Sequence, residues 1–265
     1  AYKRTNSFFE NSELASSGIP EGKELDLFQS FGDNYEEFLP PELHLEEYNP
    51  PKTDGSGFIR KELSKATSLL KDAGWKLNEG KLINKDSGEY FEFEILLVSP
   101  AFERIVLPFK DNLEKLGISV NVRTIDSAQY QQRLDTFDFD MVVSTFRQSL
   151  SPGNEQRNFW GSDAADTNGS RNIIGIKNPI IDILIEKVIS AKDRKDLITT
   201  SQALDRVLLW NHYVIPQWHI SSYRTLYWDI FDKPAVRPKY SLGTNTWWVN
   251  IIKLDTLEER KNSLL

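Results

Sequence analysis

The residues best able to carry chemistry near neutral pH are few and scattered. The three histidines, His44, His212 and His219, sit in no HExxH pattern, and the seven-residue step between the last two is not a metal-ligand spacing. Each reads as a structural histidine. Asp138-Phe139-Asp140 places two carboxylates two residues apart, a pair suited to a divalent cation. It opens an expected strand, however, whereas parallel sheets gather ligands at the carboxyl ends of their strands. The chain has no cysteine, which excludes disulfides, a CxxC redox pair and thiolate zinc sites. GxSxG, GxGxxG and GxxxxGK(S/T) are all missing. The sequence therefore calls for no metal and no cofactor, and assigns no catalytic residue.

One stretch has a different character. Residues 146–160 (FRQSLSPGNEQRNFW) leave the carboxyl end of an expected strand. Arg147, Gln148, Ser149, Asn154 and Arg157 supply donors and acceptors there, and Trp160 a large aromatic surface. That mixture suits a binding loop on a rigid scaffold. The plainer alternative is a capped loop with Phe159 and Trp160 simply packed. Either arginine suits a ligand carboxylate, which a guanidinium meets bidentately, or a surface pair with a neighbouring Asp or Glu. Trp210, Trp218, Trp228, Trp247 and Trp248 cluster late in the chain. They are suited to stacking on sugars or peptide side chains, or to filling a core or interface.

The elements that must position this loop follow from hydrophobic spacing. Leu63, Ala66, Leu69, Leu70 and Ala73 share one helical face, and Gly74 ends it. Residues 90–98 read as a strand. A helix starting at Pro100 follows, with Phe102, Ile105, Val106, Phe109 and Leu113 on one stripe, a kink at Pro108 and a stop at Gly117. Residues 118–125 form a second strand, and Asp126-Ser127-Ala128-Gln129 opens a helix through Thr136 as a capping box. Residues 139–146 form the third strand. Two helices then carry Ile181, Leu184, Ile185 and Val188, and Leu197, Leu204, Val207 and Leu208. Strands are expected over 213–220 and 223–228, a loop over 234–246 and a poorly ordered charged tail over 254–265. Residues 1–57 are broken by Pro40-Pro41, Pro50-Pro51 and Asp54-Gly55-Ser56-Gly57, and read as an arm draped over another body. Strands alternating with helices predict an α/β fold around a largely parallel sheet.

Composition bounds the partners. The 265 residues carry a net charge of −7 with no basic cluster, which argues against nucleic acid. No apolar run approaches the roughly 18–20 residues of a membrane span. The opening Ala1-Tyr2-Lys3-Arg4 has neither an initiator Met nor an apolar signal core, as expected of a processed exported protein or of an excised fragment.

Several strings share an ordered resemblance. Residues 8–20 (FFENSELASSGIP), 66–75 (ATSLLKDAGW), 112–118 (NLEKLGI), 137–141 (FDFDM), 151–182 and 208–216 (LLWNHYVIP) resemble, in that order, the extracellular solute-binding proteins of oligopeptide and dipeptide ABC importers. NSELASSG, SPGNEQRNFWGS and VLLWNHYVIPQWH are most similar to the YejA-like subgroup. The resemblance implies a two-lobed periplasmic binding protein-like fold about twice this length, of which this chain is the C-terminal half. Residues 1–57 would end the first passage through one lobe, 58–212 would form the second lobe, and 213–265 would return to the first. It further implies a peptide or modified-peptide ligand, an ABC importer membrane permease as partner, closure of two lobes over the ligand and no enzymatic activity.

One departure bears on the ligand. In the family's oligopeptide binders, an Asp just after a strand ending in Trp holds the peptide α-amino group. Here Phe146 stands in the Trp place, Arg147-Gln148-Ser149-Leu150 follow, and Ser149 is the nearest match to the Asp. A neutral hydroxyl cannot supply the charge-assisted bond an ammonium needs. Residues 146–160 are accordingly expected to line the cleft with a different anchoring chemistry. The competing reading is an α/β enzyme, such as a metal-dependent glycosyltransferase using Asp138 and Asp140. A third is a pure interaction module.

Overall fold

The structure, a computed structural model, describes residues 2–32 and 37–262. The chain opens with β1 (Tyr2–Arg4) and a long irregular arm interrupted by α1 (Gly22–Gln29) and α2 (Glu42–Leu45). Regular structure then begins with α3 (Arg60–Asp72), whose end at Gly74 is a left-handed residue with φ +88°. A hairpin that the strand pattern did not reveal follows, β2 (Trp75–Asn78) and β3 (Lys81–Asn84). Its two loop residues, Glu79 and Gly80, both have positive φ (48° and 81°), as a type I′ turn requires.

The main sheet is β4 (Glu92–Leu97), β5 (Ser119–Thr124) and β6 (Met141–Val142), all parallel, in the order β5-β4-β6. Central β4 buries Ile95, Leu96 and Leu97, as a strand covered on both faces does. A 3-10 turn over Pro100–Phe102 leads from β4 into α4 (Glu103–Glu114), which continues through Pro108. Between β5 and β6 lies α5 (Ser127–Asp135), capped by the Asp126 carboxylate, which accepts from the Ala128 and Gln129 N–H groups. The third strand is shorter than the expected 139–146. The Asp140 carboxylate accepts from the Glu94 N–H at 2.8 Å, taking a β4 donor that a longer ladder would use.

Residues 146–160 are not wholly loop, because α6 (Glu155–Trp160) forms within them. Then come α7 (Pro179–Ile189), capped by Asn178, and α8 (Arg194–Trp210), capped by Asp193. In the last segment β7 (Trp218–Ile220) pairs antiparallel with β1, and β8 (Phe231–Asp232) with β9 (Trp248–Val249). Residues 223–228 form no strand. The tail expected to be poorly ordered is helical over α9 (Ile251–Asn262), with the Asn250 side chain accepting from the Lys253 N–H; residues 263–265 lie outside the described residues.

Two hydrophobic cores form among the described residues. One gathers Leu82, Ile95, Leu97, Val106, Ile118 and Val120 around the sheet. The other packs α7 and α8 against Phe9, Leu14, Phe28 and Leu43 of the arm and against Phe159 and Trp160. The cores thus do not divide at the expected 57/58 boundary, because Phe9, Leu14, Phe28 and Leu43 of the arm are buried with residues 159–208. Adjacent residues of α8 hold it there. Asp205 accepts from the Phe8 and Ser16 N–H groups and from the Ser16 hydroxyl. Arg206 donates to Glu24 and to the carbonyls of Ser17 and Gly18. The last segment is different: Tyr223, Leu226, Trp228, Val236, Ile251 and Ile252 are all exposed.

Candidate functional site

The strand order places the site. The chain passes from β4 to β5 on one side, then crosses back to lay β6 on the other side of β4. Between β4 and β6 the two connections diverge at the carboxyl ends, which is where open α/β sheets leave a crevice. A cavity of about 290 Å³ lies there, lined by Val98 and Ser99 beyond β4, Tyr130 and Leu134 of α5, and Val143 and Thr145 beyond β6, among others. Buried Leu96 and Leu97 contribute its floor. Tyr130 lines it from α5, and burial raises its pKa, so its hydroxyl stays protonated at neutral pH.

Residues 146–160 continue from the rim of this crevice. Trp160 is wholly buried among Phe8, Phe146 and Phe159, with ring centroids 5.1, 4.8 and 5.5 Å away. Its indole N–H donates to Gln156 Oε1 at 2.9 Å, and Gln156 Nε2 donates to Gln148 Oε1 at 2.7 Å. Because an indole N–H only donates, this relay has one polarity, and it ends in Gln148 Nε2, which is buried without a hydrogen-bond partner among the described residues. Ser149 Oγ accepts from the Ser151 N–H. Arg147 is exposed and has no ion-pair partner among the described residues. Arg157 is engaged: Nε and Nη2 donate to the two Glu186 oxygens at 2.6 Å each, and Nη1 donates to Asn154 Oδ1 at 2.7 Å. This fork lowers the Glu186 pKa and raises that of Arg157.

The candidate loop residues are therefore not equivalent. Arg147 and Ser149 are exposed near the rim, Gln148 is turned inward, and Asn154 and Arg157 form a surface cluster with Glu186. Phe159 and Trp160 are packed, as the plainer reading of residues 146–160 holds, and Trp160 supports the loop from below. The spacing missed the crevice residues Ser99, Tyr130, Leu134 and Thr145. Ser99 follows directly on the carboxyl end of an expected strand, Thr145 is the last residue but one of another, and Tyr130 and Leu134 are four apart on one helix face, so a signal was present.

The other candidates resolve into structure. Arg133 donates to Glu94 at 2.8 Å and pairs with Asp138 at 3.0 Å, while Asp140 holds the Glu94 N–H. No group of three His, Cys, Asp or Glu side chains suited to a metal occurs among the described residues, and the enzyme reading through Asp138 and Asp140 finds no support. An open groove of about 690 Å³ beside Glu92, Glu94 and Asp140 is larger than the crevice, but it lies at the amino ends of the strands. His44 meets Phe28 edge-on at 5.6 Å, His212 lies near Tyr48 and Trp210, and His219 approaches Thr5. No helix among the described residues is long and apolar enough to cross a membrane.

An α/β lobe with a crevice at its switch point and a polar loop at the rim is what the structure presents, and comparison with known proteins gives the family. The sequence pattern of the bacterial extracellular solute-binding proteins, family 5 (middle), matches residues 26–168, more than half of the chain. The chain belongs to that family. It is 47% identical over 93% of its length to "Uncharacterized protein y4wM" of Sinorhizobium fredii, and 42% identical over 93% to "Probable peptide-binding protein YejA" of Agrobacterium fabrum. Those matches cover 37% and 40% of the two relatives, so the chain spans about two fifths of the length of the curated relatives it matches. Its fold is similar to that of the oligopeptide-binding protein AppA of Bacillus subtilis in complex with a nonapeptide. The TM-score is 0.54 at 18% identity, over 94% of this chain and 52% of that one. The architecture is that of the periplasmic binding proteins.

Proposed function

We propose that this chain forms one wall of the ligand cleft of a periplasmic binding protein that delivers peptides, plain or modified, to an ABC importer. The observation that carries the reading is the crevice at the β4/β6 switch point, continued at its rim by the donor-rich residues 146–149. Family membership supports it, as do the relative named as a probable peptide-binding protein and the peptide complex of similar fold. The remaining length that the relatives carry supplies the opposite wall, and a membrane permease receives the loaded protein. Binding needs no cofactor and no catalytic group, only closure of two bodies over the ligand. Arg147, exposed and without an ion-pair partner among the described residues, meets the peptide carboxylate. Gln148 and Ser149 shape that wall, Trp160 packs behind it, and Asn154 and Arg157 flank it, with Arg157 reaching ligand only by leaving Glu186. Calorimetry on the full-length protein with alanine tetrapeptides tests this. Arg147→Ala should weaken binding by about 1–3 kcal/mol, with no peptide turnover. Unchanged affinity in both Arg147→Ala and Arg157→Ala would remove the carboxylate contact from the reading.

A further inference from the structure

The crevice between β4 and β6 has a chemistry more specific than its position. None of its eleven lining residues is charged. Its floor is apolar, with Leu96 and Leu97 essentially unexposed, and Val98, Leu134 and Val143 continue that surface upward. Its polar side chains, Ser99, Tyr130, Ser144 and Thr145, all carry hydroxyls. Those of Ser144 and Thr145 are exposed and have no hydrogen-bond partner among the described residues, while Ser99 Oγ accepts from the Ala101 N–H. The volume, about 290 Å³, falls just below the roughly 300–1,000 Å³ of complete small-molecule sites. A crevice of this size takes one group of a larger ligand.

We propose that this crevice is a specificity subsite that seats one uncharged, apolar side chain of the bound peptide and discriminates against charged ones. The inference rests on the peptide reading above and names the part of the peptide that this wall selects. A carboxylate or ammonium entering the crevice gives up water and meets no counter-ion, only hydroxyls at the rim, so its desolvation goes unpaid. An aliphatic side chain loses nothing there, and filling such a surface is worth roughly 10- to 200-fold in discrimination. Arg147, next along the chain and without an ion-pair partner among the described residues, lies outside the lining, so the carboxylate contact and the side-chain pocket are separate.

Leu134 is the residue to change. It lines the crevice from α5 but is only partly buried, so a longer charged side chain at this position has a route to solvent. The probes are alanine tetrapeptides carrying Leu, Asp or Lys at each position in turn, titrated calorimetrically into the full-length protein. One position should prefer Leu over both Asp and Lys by at least about tenfold. Leu134→Arg should cut the Leu-over-Asp ratio at that position about tenfold or more, with the ratios at other positions unchanged. Leu134→Glu should do the same to the Leu-over-Lys ratio, and serves if the arginine variant fails to fold. Peptides that bind without a Leu preference at any position overturn the subsite while leaving peptide binding intact. Ratios unmoved in folded Leu134 variants do the same. A wild-type protein that binds no tetrapeptide overturns the peptide reading itself, and the subsite with it.

Discussion

Replacing Gln156 by leucine tests whether the loop at the crevice rim is held from beneath. Gln156 is wholly buried. It accepts from the Trp160 indole at 2.9 Å and donates to Gln148 at 2.7 Å. Leucine has similar bulk but makes neither bond. Each neutral bond is worth about 1 kcal/mol net, and the indole N–H, left in a fully buried side chain, costs about 1–3 kcal/mol unpaired. The sum predicts a loss of about 3–5 kcal/mol, read as a shift in urea midpoint at unchanged slope. Adding Trp160→Phe removes the stranded donor. The double variant should therefore be more stable than additivity predicts by about 1–2 kcal/mol, despite the smaller ring. A Gln156→Leu cost under about 1 kcal/mol, or an additive double variant, would refute the relay as a support.

The arm offers two further tests. Arg206 and Glu24 form a buried pair at 2.8 Å, with side chains 2% and 10% exposed. Arg206→Ala leaves the Glu24 carboxylate and two carbonyls without their donor and should cost about 3–5 kcal/mol in urea unfolding, whereas Arg206→Met with Glu24→Met should recover most of it. The Asp205 carboxyl, fully buried, is pushed up from 3.8 to about 6 by desolvation, against the hydrogen bonds from Ser16, Ser7 and Phe8. A raised folded pKa means the folded state holds its proton longer. The contribution is therefore full below about pH 4 and is lost as pH rises through 6, by about 3 kcal/mol. Asp205→Asn should flatten that part of the pH dependence while lowering stability overall, because an amide nitrogen then faces N–H donors; parallel wild-type and variant profiles from pH 4 to 7 would refute it.

Much of the sheet module was legible because each element obeys a single period. β4, α4, β5 and α5 fall where spacing places them, and so do α7 and α8. Other elements turn on contacts that no local pattern carries. The β2–β3 hairpin uses Glu79-Gly80 rather than Asn-Gly or Asp-Gly at its turn, so the usual cue is missing. Residues 223–228 have strand-like composition, yet a strand needs a partner, and no ladder among the described residues includes them. The arm was least legible. Phe9, Leu14, Phe28 and Leu43 follow no period, and Asp205 and Arg206 fix it across more than 180 residues of chain.

That long-range clamp also explains how the site is built. The crevice wall at Val143 packs with the sheet core, whereas Phe146, three residues later, packs with the core shared by the arm and α8. Residues 143–146 therefore bridge two cores, and the rim bearing Arg147, Gln148 and Ser149 begins where they end. Phe8 closes the circuit: its N–H donates to Asp205, and its ring meets Trp160 at 5.1 Å and Phe146 at 6.0 Å. The rim thus rests on an arm that polar groups of α8 hold, while the crevice floor rests on the sheet core. Loosening the arm with Arg206→Ala should speed amide exchange at residues 147–149 far more than at Ile95, Leu96 and Leu97. Equal acceleration in both places would mean that the two cores open as one unit and that the rim has no separate support.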